Sequence, residues 1–293
     1  MMVSSGQLAP ATDAAPAPTP TGIQTLTLGD LGADPAWWRP VLIGSDHLVL
    51  VTGGHGTLEV DFRPFPCRPG TMFRIRPGQA LRRTDALDAV MVRWSPHALH
   101  GLDVDPDAVP THTQLVGEDE EAVINEVSQL VVDCRRHRGA AGESLLRHQL
   151  AVLLLRLTLT TAPTGGTEPR TFRRLCREVE HHYRYTRRVE DYAERLGCSV
   201  RTLTRACLAM TGHSAKQVID ERVALQARRL LAATDEPIAR IGRYLGFPEP
   251  TNFGRFFSRE VGLSPGAFRA TGGRVAVPAR IVRPRPPHWT DRA

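Results

Sequence analysis

One stretch of this chain repeats itself, and the repeat restricts what it can fold into. Leu203, Arg205, Cys207, Gly212, Ser214 and Val218 recur 50 residues later as Phe253, Arg255, Phe257, Gly262, Ser264 and Phe268. Self-similarity over this period means two copies of one small structural unit packed side by side. Each copy reads as helix, tight turn, helix, glycine and a further helix start. In the first, Val189, Tyr192, Ala193 and Leu196 form one apolar stripe. Gly197 then stands where a helix end needs positive φ, and Ser199 is a good N-cap for the next helix. That helix is expected over about 199–209, burying Leu203 and Cys207. In the second copy, Ile238, Ile241 and Leu245 form the stripe, with Pro237 suited to a first helical turn. Gly246 ends that helix, and the next, over about 250–259, buries Phe253, Phe256 and Phe257. Two short helices across a glycine-containing turn are the helix-turn-helix pattern. Two such patterns in register are far more specific than one.

Charge points to the partner. The chain has 293 residues, 41% of them apolar, and a net charge of +6. That charge is unevenly placed. Residues 1–169 carry 13 Arg against 19 acids, whereas residues 170–271 carry 18 Arg and one Lys against 11 acids. Residues 272–293 add five Arg against one Asp. A basic half joined to an acidic half implies a polyanion partner for the basic half.

The faces left over on the second helices suit that partner. Val200, Arg201, Thr202, Thr204 and Arg205 remain outside on the first, and Thr251, Asn252, Gly254, Arg255 and Arg259 on the second. Arginine bonds two acceptors of guanine, asparagine two positions of adenine, and threonine meets the thymine methyl. Arg201, Thr202, Thr204, Arg205, Thr251, Asn252 and Arg255 are therefore the candidate base readers. Arg205 and Arg255 matter most, because they fall at matching repeat positions. Ser199, Ser214, Lys216, Ser264 and Arg259 are the candidate phosphate contacts. Residues 214–232 read as one helix with Val218, Ile219, Val223, Ala227, Leu230 and Leu231 on one side and Arg222, Arg228 and Arg229 elsewhere. About 19 residues at 1.5 Å each make a rigid spacer of roughly 28 Å. A spacer near that length sets two recognition helices ~34 Å apart, one turn of B-DNA.

The remainder divides by composition. Residues 1–22, rich in Ala, Pro and Thr, are expected to be disordered. Residues 23–161 form a further domain. Within it, Val41–Val51, the alternating Thr57–Phe62, Met72–Ile75 and Val90–Trp94 are short β-prone pieces separated by Pro and Gly. That spacing predicts a small barrel or sandwich. Val123, Val127, Leu130 and Val131, then Leu146, Leu150, Leu153, Leu154 and Leu157, lie at helical spacing and predict a helical hairpin over 119–137 and 143–161. Its apolar surface either packs on the β domain or forms a homodimer interface through 119–161. Residues 162–171 read as a linker, and the Pro/Arg-rich 272–293 as a basic tail, either disordered or touching phosphates. The five cysteines are odd in number and form no C-x-x-C pair, which favours reduced thiols over disulfides or zinc. No run of 18 apolar residues exists to span a membrane, and no secretory signal is evident, so a cytoplasmic location is expected.

Ile238, Ile241, Leu245-Gly246-Phe247, Phe253, Arg255, Phe257, Gly262, Ser264-Pro265 and Phe268-Arg269 together resemble the C-terminal signature of AraC/XylS-type transcription regulators. The upstream half fits as well, through Ala193, Leu196, Leu203, Arg205, Gly212, Arg222, Ala227 and Leu230-Leu231. The resemblance covers about 100 residues. It implies promoter binding to double-stranded DNA by residues 172–271, with activation through RNA polymerase. Two positions depart from the family pattern: Gly242, where alanine is usual, and Asn252, where an aromatic is frequent. Glycine inside a helix costs ~1 kcal/mol relative to alanine. Val49–Gly56, Pro69-Gly70 and Pro77-Gly78 resemble the cupin-type sensor domain found before many such modules, implying a small-molecule effector of unknown identity. The expected fold is therefore α+β and multidomain: a cupin-like β domain with a helical hairpin, then an all-α domain of two helix-turn-helix units joined by a linker helix.

Two other function classes compete. One is a cupin enzyme carrying an accessory DNA-binding domain. Against it, His55 and Glu59 lack partner histidines nearby, and Gln79 follows Pro77-Gly78 where a histidine is common. His97 and His100 suit surface or packing roles. Neither a metal nor another cofactor is expected. The other class is an interaction protein whose N-terminal domain binds a protein instead of a small molecule.

Overall fold

A computed structural model describes residues 22–31, 39–83, 87–137, 139–160 and 170–274. The expected disordered segment up to residue 21, most of the linker and the tail beyond residue 274 lie outside these described residues.

The N-terminal half is a two-sheet β domain. Its strands are β1 (Gln24–Thr27), β2 (Val41–Leu42), β3 (Asp46–Gly53), β4 (Gly56–Val60), β5 (Arg63–Cys67), β6 (Thr71–Ile75), β7 (Ala80–Arg83), β8 (Asp88–Trp94) and β9 (His112–Gln114). One sheet has the order β1-β8-β3-β6-β9 and the other β2-β7-β4-β5, with all pairs antiparallel. Val49, Val51, Phe73, Ile75 and Met91 face Leu58, Val60 and Leu81 of the second sheet. Leu48, Leu50, Met72, Val92 and Trp94 point the other way, under a helical hairpin. That double cover explains why β3 is a continuous apolar run, since neither of its faces meets water.

The hairpin is α1 (Glu118–Arg136) and α2 (Ala140–Thr160). It packs Val123, Val127, Leu130, Leu146, Leu150, Leu153, Leu154 and Leu157 onto the first sheet. The second helix starts at Ala140, earlier than the expected 143, because only Gly139 takes the positive φ of the break (85°) while Gly142 is helical.

The C-terminal half is helical: α3 (Arg170–His182), α4 (Val189–Leu196), α5 (Val200–Thr211), α6 (Ala215–Ala233), α7 (Ile238–Tyr244), α8 (Pro250–Val261) and α9 (Pro265–Ala270). The expected linker thus ends two residues early, since residues 170 and 171 already belong to α3. Phe172, Leu175 and Val179 of α3 are fully buried in the same core as both helical repeats.

Two sequence expectations need correction where the halves meet. The alternation read over Thr57–Phe62 stops at Val60. Asp61 and Phe62 form the two-residue β4–β5 turn, with φ of 52° and 65°. A turn of the I′ kind needs positive φ at both central residues and normally takes Asn and Gly. Holding Asp and Phe there costs on the order of 1–3 kcal/mol per residue unless the surroundings fix them. Here they do. Asp61 is buried and accepts two bonds from Arg229 of α6, at 2.7 Å to each oxygen. It also accepts from Gln79 Nε2 at 2.8 Å and from the Ala80 amide at 3.0 Å. Phe62 packs edge-on against Phe268 at 5.7 Å, beneath the Arg228 guanidinium at 4.3 Å.

The second concerns Arg222 and Arg229, read as lying away from the apolar side of α6. Both are buried, Arg222 in a two-pronged pair with Glu180 of α3 at 2.7 and 2.9 Å. The start of the expected tail is also structured: Arg82 Nη1 donates to the Gly272 carbonyl at 2.8 Å, and a Cβ on Gly273 would lie 2.7 Å from Phe62.

Burial alone would raise the Asp61 pKa, but Arg229, Gln79 and the Ala80 amide hold it below the ordinary carboxylate value. Its contribution is therefore whole above the unfolded value of ~3.9 and is lost as pH falls through the lowered one. Arg229→Ala strands a buried carboxylate and should cost about 3–5 kcal/mol in the urea unfolding of the full chain. Asp61→Asn should flatten the stability curve below about pH 4 relative to the wild-type chain.

Candidate nucleic-acid interface

The two helix-turn-helix units are α4–α5 and α7–α8, and their local chemistry matches. Helices α5 and α8 each have 12 residues. Each ends on a left-handed glycine, Gly212 (φ 70°) and Gly262 (φ 82°). Ser214 and Ser264 then cap α6 and α9, accepting from the amides of Gln217 and Ala267. The starts differ. Ser199 caps α5 by accepting from the Thr202 amide, whereas Glu249 at the N-cap of α8 makes no side-chain cap and Pro250 opens the helix.

Each second helix is anchored by one face. Leu203 and Cys207 of α5 are fully buried, as are Phe253 and Phe257 of α8. Gly242 shows why its departure from alanine does no harm. A Cβ there would stand 3.1 Å from Cβ and Cγ of Phe253, so the glycine lets α7 and α8 close.

The opposite faces are open. Arg201 and Arg205 of α5 and Thr251, Asn252 and Arg255 of α8 are exposed, while Thr202 and Thr204 are half-buried. Among the described residues, Arg201, Arg205 and Arg255 form no hydrogen bond or ion pair. This contrasts with Arg74, Arg82, Arg222 and Arg229, each buried within 2.7 Å of a carboxylate oxygen. Free guanidiniums on an anchored helix keep all five donors for an outside acceptor.

The expected phosphate contacts are more occupied. Ser199, Ser214 and Ser264 already serve as caps, and Ser214 also donates to Gln217 Oε1 at 3.0 Å. Lys216 and Arg259 both reach Asp220, and Arg259 also pairs with Glu260 at 2.7 Å. Sequence reading missed Asp61, Gln79 and Arg229, whose partnership depends on the positive-φ turn. It also passed over Arg184, Arg187 and Arg188, although the cationic run Arg184-Tyr185-Thr186-Arg187-Arg188 was visible.

In the β domain, His55 is exposed and Glu59 pairs with Arg82 at 2.5 Å. His97 and His100 approach each other, ring to ring, at 5.7 Å. Among the described residues, no group of three or more His, Cys, Asp or Glu stands where it could hold a metal, and no helix is long and apolar enough to cross a membrane.

A β domain followed by paired helix-turn-helix units with open, cationic second helices defines a DNA-binding protein. Residues 192–271 match the helix-turn-helix domain family. The chain is 27% identical over 236 residues to the HTH-type transcriptional activator RhaR of Klebsiella pneumoniae, covering 76% of this chain and 84% of that one. It is 24% identical over 241 residues to the arabinose operon regulatory protein of Escherichia coli, covering 79% and 82%. Among solved structures, ToxT of Vibrio cholerae aligns over 87% of this chain and 99% of its own, with TM-score 0.48 and 11% identity. The chain is a DNA-binding transcription regulator, similar to those of the AraC/XylS type.

Gly242→Ala sets an overpacking cost of about 1–3 kcal/mol on Phe253 against a helix gain of ~1 kcal/mol, so a net loss of up to about 2 kcal/mol is expected in the second unit. Thermal unfolding monitored by circular dichroism reads this, and an unchanged or raised Tm would show that the α7–α8 contact relaxes freely.

Proposed function

We propose that this regulator is a cytoplasmic, homodimeric activator in which each protomer reads two successive major grooves, α5 in one and α8 in the next. The observation that carries the reading is the pair Arg205 and Arg255, exposed, unpaired among the described residues and at the same repeat position. Arg201, Thr202, Thr204, Thr251 and Asn252 flank them as further base readers. Asn252 sets the second unit's preference apart, because asparagine selects adenine where arginine selects guanine. The capped N-termini at Ser199, Ser214 and Ser264 meet phosphates with the positive end of the helix dipole. Lys216 and Arg259 add charge to the same strand of DNA. RNA polymerase is the partner on the promoter, in keeping with the activator names of the relatives, and the β domain is the place for a small-molecule effector.

The homodimer surface is on α2. Leu145, Val152, Leu155 and Leu159 are exposed there, at spacings of seven, three and four. That is the a/d rhythm of a helix that packs against a partner helix. The buried stripe of the same helix is already used on the β domain, so this second stripe is free for another copy.

Selection of genomic DNA fragments on the purified chain gives the site. Each bidentate contact contributes ~1–3 kcal/mol of discrimination. Arg205→Ala and Arg255→Ala should therefore each erase preference at a guanine, in half-sites one helical turn apart. Retained preference in both variants would defeat the reading. Val152→Glu with Leu155→Glu should halve the mass seen by light scattering while the circular dichroism spectrum stays unchanged. A wild-type chain that is monomeric throughout would dismiss the dimer.

A further inference from the structure

A cleft of about 360 Å³ opens where the two helix-turn-helix units meet. Arg184, Thr186, Arg187 and Arg188, from the segment entering α4, line one wall. Lys216, in the first turn of α6, and Gly246, in the α7–α8 turn, line the other. Gly246 (φ 79°) makes this junction possible: a Cβ there would lie 2.6 Å from the Arg184 carbonyl oxygen. The second unit's turn therefore closes directly on the backbone that leads into the first unit.

The cations in the cleft are held in an unusual way. The Arg184 guanidinium stacks on Tyr244 at 3.7 Å, and that of Arg187 on Phe247 at 3.5 Å. Stacking fixes each planar group while leaving its N–H donors unused. Among the described residues neither makes a hydrogen bond or ion pair, and the buried Arg184 Nε has no acceptor. Both are half-buried. Burial pushes the Arg187 pKa down, with Asp220 opposing and nearby Arg259 adding to the effect. Asp220 is the nearest acid, but it already serves Lys216 and Arg259. Arg74, Arg82, Arg222 and Arg229, also taken from water, are each met by a carboxylate, whereas Arg228 is stacked on Phe62. Here the lining contains four cations and no carboxylate; Arg188 and Lys216 have acids outside it, but among the described residues Arg184 and Arg187 form no ion pair. Desolvated, pre-oriented charge without a counter-ion is a site prepared for an anion that arrives from outside.

We infer that this cleft is a phosphate-binding site that grips a backbone phosphate of DNA between the two major grooves, through Arg184 and Arg187. The position supports that source. Lys216 stands four residues after the Gly212 cap of α5, and Gly246 stands four residues ahead of Pro250, where α8 begins. A duplex lying across α5 and α8 carries its intervening backbone past the junction between them. The inference rests on the two-groove reading, and the grip would fix the relative setting of the two units on DNA. A free phosphorylated molecule shares the same chemistry and is separated by experiment.

The test uses the full chain, one duplex of about 30 base pairs recovered by genomic selection, and a random-sequence duplex of equal length. Arg184→Gln with Arg187→Gln should make the dependence of log affinity on log salt shallower by about 0.9 on both duplexes. The preference for the selected duplex should stay as in the wild type. Scanning the selected duplex with single uncharged methylphosphonates should reveal one position between the grooves that costs the wild type roughly tenfold and the double variant nothing. This scan on the wild-type chain stands even if the double variant fails to fold. An unchanged salt slope and no sensitive position would overturn the inference. So would a Tm rise of the wild type in inorganic phosphate, lost in the variant, with the salt slope unchanged, since the cleft then serves a free ligand. Failure of the two-groove reading shows elsewhere, as base preference retained in the Arg205 and Arg255 variants.

Discussion

Two buried arginines on one helix hold this molecule together. Arg222 and Arg229 stand two turns apart on α6, and each meets a carboxylate carried by a different neighbour. Glu180 ties the helix to α3, and Asp61 ties it to the β domain. A guanidinium taken from water without a partner is strongly unfavourable, so each pair specifies its neighbour's position as well as its presence. The apolar residues of α6 can slide against one another at little cost in energy. The forked bonds to Glu180 and Asp61 tolerate far less displacement. The two helix-turn-helix units, the β domain and the cleft between the units all take their places from this helix.

The division between what was legible and what was not follows the range of the signal. Helix starts and ends are local events, and residues such as Gly197, Ser199, Gly212, Ser214 and Ser264 announce them. The repeat then doubles each announcement, which is why both units and their exposed arginines were readable. The apolar run Leu48–Val51 of β3 was also readable, since these residues are covered on both faces. The Asp61–Phe62 turn was not. Its alternation looks like a strand that continues, and nothing local shows that the backbone turns left-handed to present both residues to a helix some 170 positions away. Gln79 was read for what it is not, a metal-binding histidine. Its observed work is to hold the Asp61 carboxylate.

The arginines separate into three environments with different consequences. Arg201 and Arg205 on α5 and Arg255 on α8 are exposed and unpaired among the described residues, which suits exchange of water for base edges at small cost. Arg222 and Arg229, at the α3 and β-domain junctions, are buried and paired, which suits permanence. Arg184 and Arg187 lie between these limits, half-buried and stacked on rings. In a chain with a single lysine, the sequence marks all of these positions with the same letter. Only the surroundings divide readers from struts.

Helix α3 changes what counts as the smallest independent piece of this protein. The family match begins at residue 192, inside α4. The fully buried Phe172, Leu175 and Val179 lie well before that point, and they cover Leu203 and Cys207 on the inner side of the first unit. The second unit has its own aromatic cluster in Phe247, Phe253, Phe256 and Phe257. The first has only a leucine and a small thiol facing the space that α3 fills. The recognisable motif and the cooperative folding unit are therefore different lengths of chain, and the shorter one would carry its recognition helix on an open core.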